Sequence, residues 1–285
     1  MQSQFHYKLK SPESENQTRF VNEYLGSYNY EAKIEIDYDS LITEDDTPVD
    51  NFYCEKQLRL LPESLKSSWN RKEPYIVAAD VGIYEHPPDK VIVPDVFLSL
   101  DVQYAEDIWK KRNRCYMIGI FGKPPELVIE VVSNKTGEEN TTKLKRYEKI
   151  GIKYYVIFDP CHHILKSSII QVYKLTGGLY KLYSEDVNEC IWFNDLNVGM
   201  KVQKGIFEEM NADWLRWCDD HGNILLTGFE RATAVEKHAK AVEQHAKAVE
   251  QRANKFENQM KFEQERANAL AQELAKIKAK MAMNI

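Results

Sequence analysis

The chain lacks closely spaced cysteines. Its five (Cys54, Cys115, Cys161, Cys190 and Cys218) are far apart and odd in number, with no CxxC. That spacing argues against a disulfide framework and against a cysteine zinc site. It points to a reduced, cytoplasmic setting. No run of about 18 apolar residues occurs, so no membrane-spanning helix is expected. Met1 to His6 lack the basic-then-apolar pattern of a signal segment. There is no Walker motif, no GxGxxG and no GxSxG, which sets aside the common nucleotide-binding and serine-hydrolase signatures. Positive charge is also short, with 38 Lys and Arg against 44 Asp and Glu, a net of −6. A protein that coats nucleic acid would be basic, whereas an enzyme with a local basic groove is still permitted.

What is present is ample for one substantial domain and an appendage: 285 residues, 43% of them hydrophobic, with 16 tyrosines suited to strands and sheet faces. The polar, acidic stretch 1–44 reads as an extension. A helix is expected from Glu55 to Trp69, broken by or starting after Pro62. Apolar, β-rich runs follow at Tyr75–Tyr84 and Val91–Leu100, separated by the turn His86-Pro87-Pro88-Asp89-Lys90. Leu127–Val132 reads as a buried strand, Asn140–Ile150 as a helix ended by Gly151, and Lys153–Pro160 as a second buried strand. Shorter strands are expected at Ile169–Leu175, Leu179–Tyr183 and Cys190–Phe193. This order predicts an α/β core with a mixed sheet and a βαβ unit running from Leu127 to Pro160.

From residue 228 the pattern changes. Val235, Val242, Val249, Phe256, Leu270 and Ile277 share one seven-residue register. Ala239, Ala246, Ala253, Met260, Ala267, Leu274 and Met281 share a second, four residues on. They read as the d and a positions of a heptad, interrupted at Glu263. The units AVEKHAK, AVEQHAK and AVEQRAN are near-repeats. A coiled-coil helix over 228–285 follows, either self-associating as a homodimer, packed on the body or joined to a partner. This tail carries 11 basic and 8 acidic residues, leaving −9 on the remainder. Basic residues still cluster in the body at Lys110, Lys111, Arg112 and Arg114, and at Lys143, Lys145, Arg146, Lys149 and Lys153. These are either solvated faces or a backbone-binding surface.

Glu130 is the least expected residue. In a strand, Val128, Glu130 and Val132 share one face. A carboxylate on a buried face must be paired with a base or bound to a metal, and the residue alone does not choose between the two. Asp95, in a Pro-Asp dipeptide, would by itself be a turn residue. With Glu130 it makes an oxygen-rich pair suited to Mg²⁺ or Mn²⁺. On the following helix Lys143 and Tyr147 share a face, from which the lysine either snorkels to solvent or reaches the carboxylates. His162-His163 reads as a turn. Asp219–Asn223 lacks the spacing of a calcium loop.

Taken in order, Val93-Pro94-Asp95-Val96, Pro125-Glu126-Leu127-Val128-Ile129-Glu130-Val131-Val132-Ser133, Lys143-Leu144-Lys145-Arg146-Tyr147 and Gly151 to Pro160 resemble the Uma-type "putative restriction endonuclease" family. That family belongs to the PD-(D/E)xK nuclease superfamily. The resemblance spans roughly residues 45 to 225 and is most specific from Glu130 to Pro160. Trp214-Leu215-Arg216-Trp217 and the charged tail resemble a variant of the same family. The resemblance implies a restriction-endonuclease-like mixed sheet flanked by helices over 45–227. It also implies a metal-dependent endonuclease acting on DNA through backbone contacts. Asp95 and Glu130 would be the metal carboxylates, with the Val132 carbonyl as a further ligand. The superfamily's lysine normally stands two residues after the glutamate. Here that position is Val132, and Lys143 takes the role from the helix. An upstream acid would be Glu55 or Glu63. The competing reading is a catalytically inactive nucleic-acid-binding or assembly protein working through its coiled coil. A third is a metal-dependent hydrolase with another substrate.

Overall fold

A computed structural model describes residues 51–87, 90–134 and 138–283, with side chains to residue 279. The expected extension at 1–44 lies outside the described residues. The first described element is helix α1, Phe52–Ser68, capped by the Asn51 side chain, which accepts from the Cys54 N–H at 2.9 Å. It starts before the expected Glu55 and runs through Pro62. A proline there removes one helical donor. Burial of Leu60, Leu61 and Leu65 outweighs that loss.

Six strands form the central sheet: β1 Tyr75–Ala79, β3 Val96–Leu100, β5 Leu127–Val131, β6 Tyr154–Phe158, β7 Ile170–Thr176 and β8 Leu179–Ser184. Their spatial order is β1-β3-β5-β6-β7-β8. Only β5 and β6 run parallel; the other neighbours are antiparallel. The mixed sheet expected from the sequence is therefore present, and helix α3 (Leu144–Ile150) connects the parallel pair. Gly151 ends α3 in the left-handed region, at φ 89°.

Two expected strands are shorter than they read. The run Tyr75–Tyr84 breaks at Asp80, whose φ is 55°. Aspartate tolerates this region better than branched residues do. The chain resumes as β2, Ile83–Tyr84, which pairs in parallel with β4, Tyr116–Met117. A one-turn helix, α2 (Ile118–Phe121), follows. The run Val91–Leu100 becomes a bridge at Ile92 and then β3.

A second sheet was not anticipated. Strands β9 (Ile191–Phe193), β10 (Val198–Phe207) and β11 (Met210–Cys218) pair antiparallel in the order β11-β10-β9. The β10–β11 turn carries Glu208 and Glu209, both at positive φ. The cysteine reading is corrected here. Cys190, just before β9, and Cys218, at the end of β11, form a disulfide. They are 28 residues apart, and the meander that places β10 between β9 and β11 brings them together. Gly199 passes between them. A Cβ there would sit 2.3 Å from one sulfur and 2.8 Å from the other, so a side chain is excluded.

The core has two main layers. Leu127, Ile129 and Val131 on one face of β5 pack with Leu61, Leu65, Phe193 and Trp217 from α1 and the second sheet. Val128 and Val132 on the other face pack with Tyr147 and Ile150 of α3. Gln57 locks α1 to β11 by exchanging two 3.0 Å hydrogen bonds with the Leu215 backbone. Last comes α4, Gly228–Met283, a single helix of 56 residues. Among the described residues no helix is long and apolar enough to cross a membrane.

Candidate active site

The alternation of β5 places Glu130 on the α3 face, flanked by Val128 and Val132, with 0% of its surface exposed. Its carboxylate is not bare. The Lys143 Nζ donates to one oxygen at 2.8 Å, and the Tyr147 hydroxyl donates to the other at 2.6 Å. The i,i+4 face read from the sequence is therefore the face that meets Glu130. Glu139–Lys143 forms a wide helical turn leading into α3. This turn brings Lys143 and Glu139 together, with Nζ 3.6 Å from a Glu139 oxygen.

Asp95 stands just before β3. Its Oδ2 accepts the Val131 backbone N–H at 2.5 Å, so the side chain extends the sheet ladder just before β3 begins. Its own carbonyl accepts from the Asp80 N–H at 3.0 Å. Val132 donates its N–H to the Phe158 carbonyl at 2.8 Å and buries its side chain against α3. The structure thus brings Asp95, Glu130 and Lys143 to one end of β3 and β5, with the Val132 backbone adjoining.

The electrostatics are those of crowded acids. Burial pushes the Glu130 carboxyl up from its ordinary 4.5 to about 8. The Asp95 charge adds to this, while Lys143 and the two hydrogen bonds oppose it. Burial pushes Asp95 from 3.8 to about 6. The Val131 N–H and Lys143 pull it down, and Glu139 and Asp80 push it up. Burial alone would lower Lys143, but the Glu130, Asp95 and Glu139 charges outweigh it and hold the ammonium above its ordinary range. Tyr147 is raised well above its ordinary range by burial and then by Glu130, so it stays a hydrogen-bond donor.

Two acids near the site were missed in the sequence. Glu139 is buried, with its Oε2 lacking a hydrogen-bond partner. Its i,i+4 spacing from Lys143 was the available signal. Asp80 looked like a mid-strand residue, and its strand break was not legible. The proposed upstream acid Glu55 is instead occupied by Arg59 on α1, at 2.9 Å. Of the second basic cluster, Lys149 and Lys153 approach Glu85 and Asp195, and Arg146 donates to the Lys90 carbonyl. Asp159 and His162 are structural. Asp159 accepts three backbone N–H groups, from His163, Ile164 and Leu165. The His162 Nδ1 lies 3.1 Å from the Leu165 carbonyl, within the same turn.

A divalent cation can be tested against this arrangement. Among the described residues no group of three or more His, Cys, Asp or Glu is gathered as a ready-made metal cage. The expected donors, two carboxylates and a backbone carbonyl, are hard oxygens of the type Mg²⁺ and Mn²⁺ accept together with water. Acid charge also exceeds local base: Asp95, Glu130 and Glu139 face one lysine, and the Glu139 Oε2 is buried and unpaired. These residues fit a divalent cation.

Residues 22–191 match the family described as "Putative restriction endonuclease" (Uma2), which is more than half of the chain. The chain belongs to this family. The match begins upstream of the expected residue 45 and ends at β9, short of β10 and β11. Among solved structures, a "putative nuclease belonging to DUF820" from Anabaena variabilis is similar at 12% identity. It covers 52% of this chain and 75% of its own, with a TM-score of 0.38. No curated protein matches the chain.

Proposed function

We propose that this Uma2-family chain is a metal-dependent endonuclease that hydrolyses DNA phosphodiester bonds on a restriction-endonuclease-like core of the PD-(D/E)xK type. The observation that carries this is the Lys143–Glu130–Tyr147 network beside Asp95, at one end of β3 and β5. Asp95, Glu130 and the Val132 carbonyl would hold Mg²⁺ or Mn²⁺. When bound, such a cation polarises a phosphoryl oxygen and supplies an activated water.

The chain's own residues do the rest. Tyr147 fixes the Glu130 carboxylate so that its rotamer is set before substrate arrives. The Lys143 ammonium is held by Glu130, yet its side chain is about one third exposed and offers a point charge to substrate. There it orients the attacking water and stabilises charge developing on the phosphate. Lys110, Lys111 and Arg112, at the surface, would hold the DNA backbone without reading its sequence.

One observation favours the second reading, an inert assembly protein. Glu130 is already paired at 2.8 Å, so the site is also a complete buried salt bridge. Calorimetric titration with Mn²⁺ separates the two. Binding that is lost in Asp95→Asn supports the enzyme, and no binding by the wild type supports the scaffold. In either case the heptad seam of α4 suits a coiled coil.

A further inference from the structure

Among the described residues, helix α4 is anchored only at its base. Thr227 and Glu230 form a reciprocal cap: the Thr227 N–H donates to Glu230 Oε2 at 2.8 Å, and the Glu230 N–H donates to Thr227 Oγ1 at 3.2 Å. Glu230 also takes two hydrogen bonds from the buried Arg216 of β11, at 2.9 and 2.7 Å. Beyond this joint the helix extends roughly 80 Å, at about 1.5 Å per residue, with its apolar seam open. Val242 is 55% exposed, Phe256 67%, Leu274 56% and Ile277 54%. Apart from Glu263, the seam is apolar and exposed along the helix, which leaves a face for an occupant.

The charges beside the seam identify that occupant. With Val235 at d and Ala239 at a, the e positions are Glu236, Glu243, Glu250, Glu257, Gln264, Ala271 and Lys278. The g positions include His238, His245, Arg252, Gln259, Arg266 and Glu273. In a parallel pair each g residue faces the partner's e residue five positions later. In register, His238 meets Glu243 of the partner, His245 meets Glu250, Arg252 meets Glu257, and Glu273 meets Lys278. The remaining contacts are Gln259 with Gln264 and Arg266 with Ala271. No like-charge pair arises between g and e. Antiparallel pairing sets e against e and g against g. At full overlap that places Glu257 on its own copy and Arg252 on Arg266. The i,i+4 pairs Glu236–Lys240, Glu243–Lys247 and Glu257–Lys261 run from e to b on the outer flank, clear of the seam.

We infer that α4 pairs with α4 of a second copy of this chain as a parallel, in-register, two-stranded coiled coil, and that the Arg216–Glu230 joint holds two bodies on the same side of it. The seam is weakest at Glu263, where two carboxylates meet at d. This inference is independent of the nuclease reading, because its test reads assembly and not cleavage.

Sedimentation equilibrium of the full chain at micromolar concentration is expected to give a dimer. Leu274→Asp with Ile277→Asp should weaken dimerisation at least 100-fold while the body melts unchanged, and Glu263→Leu should tighten it. Glu250→Lys with Glu257→Lys should also weaken it, and adding His245→Glu with Arg252→Glu should restore it. Orientation is read with Ala267→Cys in a Cys161→Ser background, since Cys161 is exposed. In the parallel register the new cysteine faces itself and cross-links on oxidation. A monomeric wild type, a trimer or larger assembly, or absence of that cross-link would each overturn the inference.

Discussion

Replacing Glu130 by glutamine is expected to stabilise the metal-free protein while abolishing cleavage. Glu130 has no exposed surface, and its carboxyl is raised from 4.5 to about 8, chiefly by burial and next by Asp95. A carboxyl whose folded pKa lies above its unfolded value contributes its full stability below about pH 4.5. That stability is lost as pH rises toward 8, because the unfolded chain releases the proton first. At about 1.4 kcal/mol per pH unit, the loss at pH 8 and above is on the order of 5 kcal/mol. Glutamine keeps the shape and an acceptor for Tyr147 but never ionises. It gives up the charge pairing with the Lys143 ammonium, which takes back part of the gain, so a net of a few kcal/mol is expected. Urea denaturation in EDTA from pH 5 to 9 measures this. The stability difference in favour of Glu130→Gln should be near zero at pH 5, grow through pH 5–8 and level off above. If the wild type stays the more stable protein across the range, the Glu130–Lys143 pair is a net structural bond and the reasoning fails.

Four further outcomes follow from the same geometry. Mg²⁺ should raise the melting temperature more at pH 8.5 than at pH 6, because both carboxylates must be ionised to bind it; a pH-independent shift in thermal unfolding would count against Asp95 and Glu130 as ligands. Tyr147→Phe removes a donor that favours ionised Glu130, so the acidic limb of the pH–rate profile should move to higher pH, with a stability cost of about 1–3 kcal/mol. Substituting Lys110, Lys111 and Arg112 by alanine should weaken DNA binding by a similar factor for all sequences and flatten its salt dependence, as read by fluorescence anisotropy. Cys190→Ser with Cys218→Ser should cost on the order of 3 kcal/mol by chemical denaturation, given a loop of 28 residues.

The site was legible in the sequence because its signals are local. A single carboxylate in the apolar run Leu127–Val132 must lie on one face, and Lys143 and Tyr147 are one helical turn apart. Both periodicities are visible along the chain; they put Lys143 and Tyr147 on the sheet-facing side but did not say whether either side chain would bond Glu130, as both do. The parallel β5–β6 pair followed from the βαβ order in the same way. What was missed is non-local or conformational. Asp80 lies in a run that reads as strand, and only its left-handed backbone turns the chain toward Asp95. The hairpin of β10 and β11 carries Lys201, Gln203 and Lys204 among its apolar residues, because much of β10 is solvent-facing, so alternation is diluted. The Cys190–Cys218 bond depends on that unforeseen sheet. Pro62 read as a helix break because local propensity cannot weigh the burial of Leu60, Leu61 and Leu65.

The central claim is tested most directly by incubating the full chain with plasmid and linear DNA in Mg²⁺, Mn²⁺ or EDTA, beside Glu130→Gln and Lys143→Ala. The account predicts cleavage that needs the metal and falls at least 100-fold in both variants, with each variant still folded. Cleavage that survives EDTA or either substitution would contradict it, as would a wild type that leaves DNA intact with both metals.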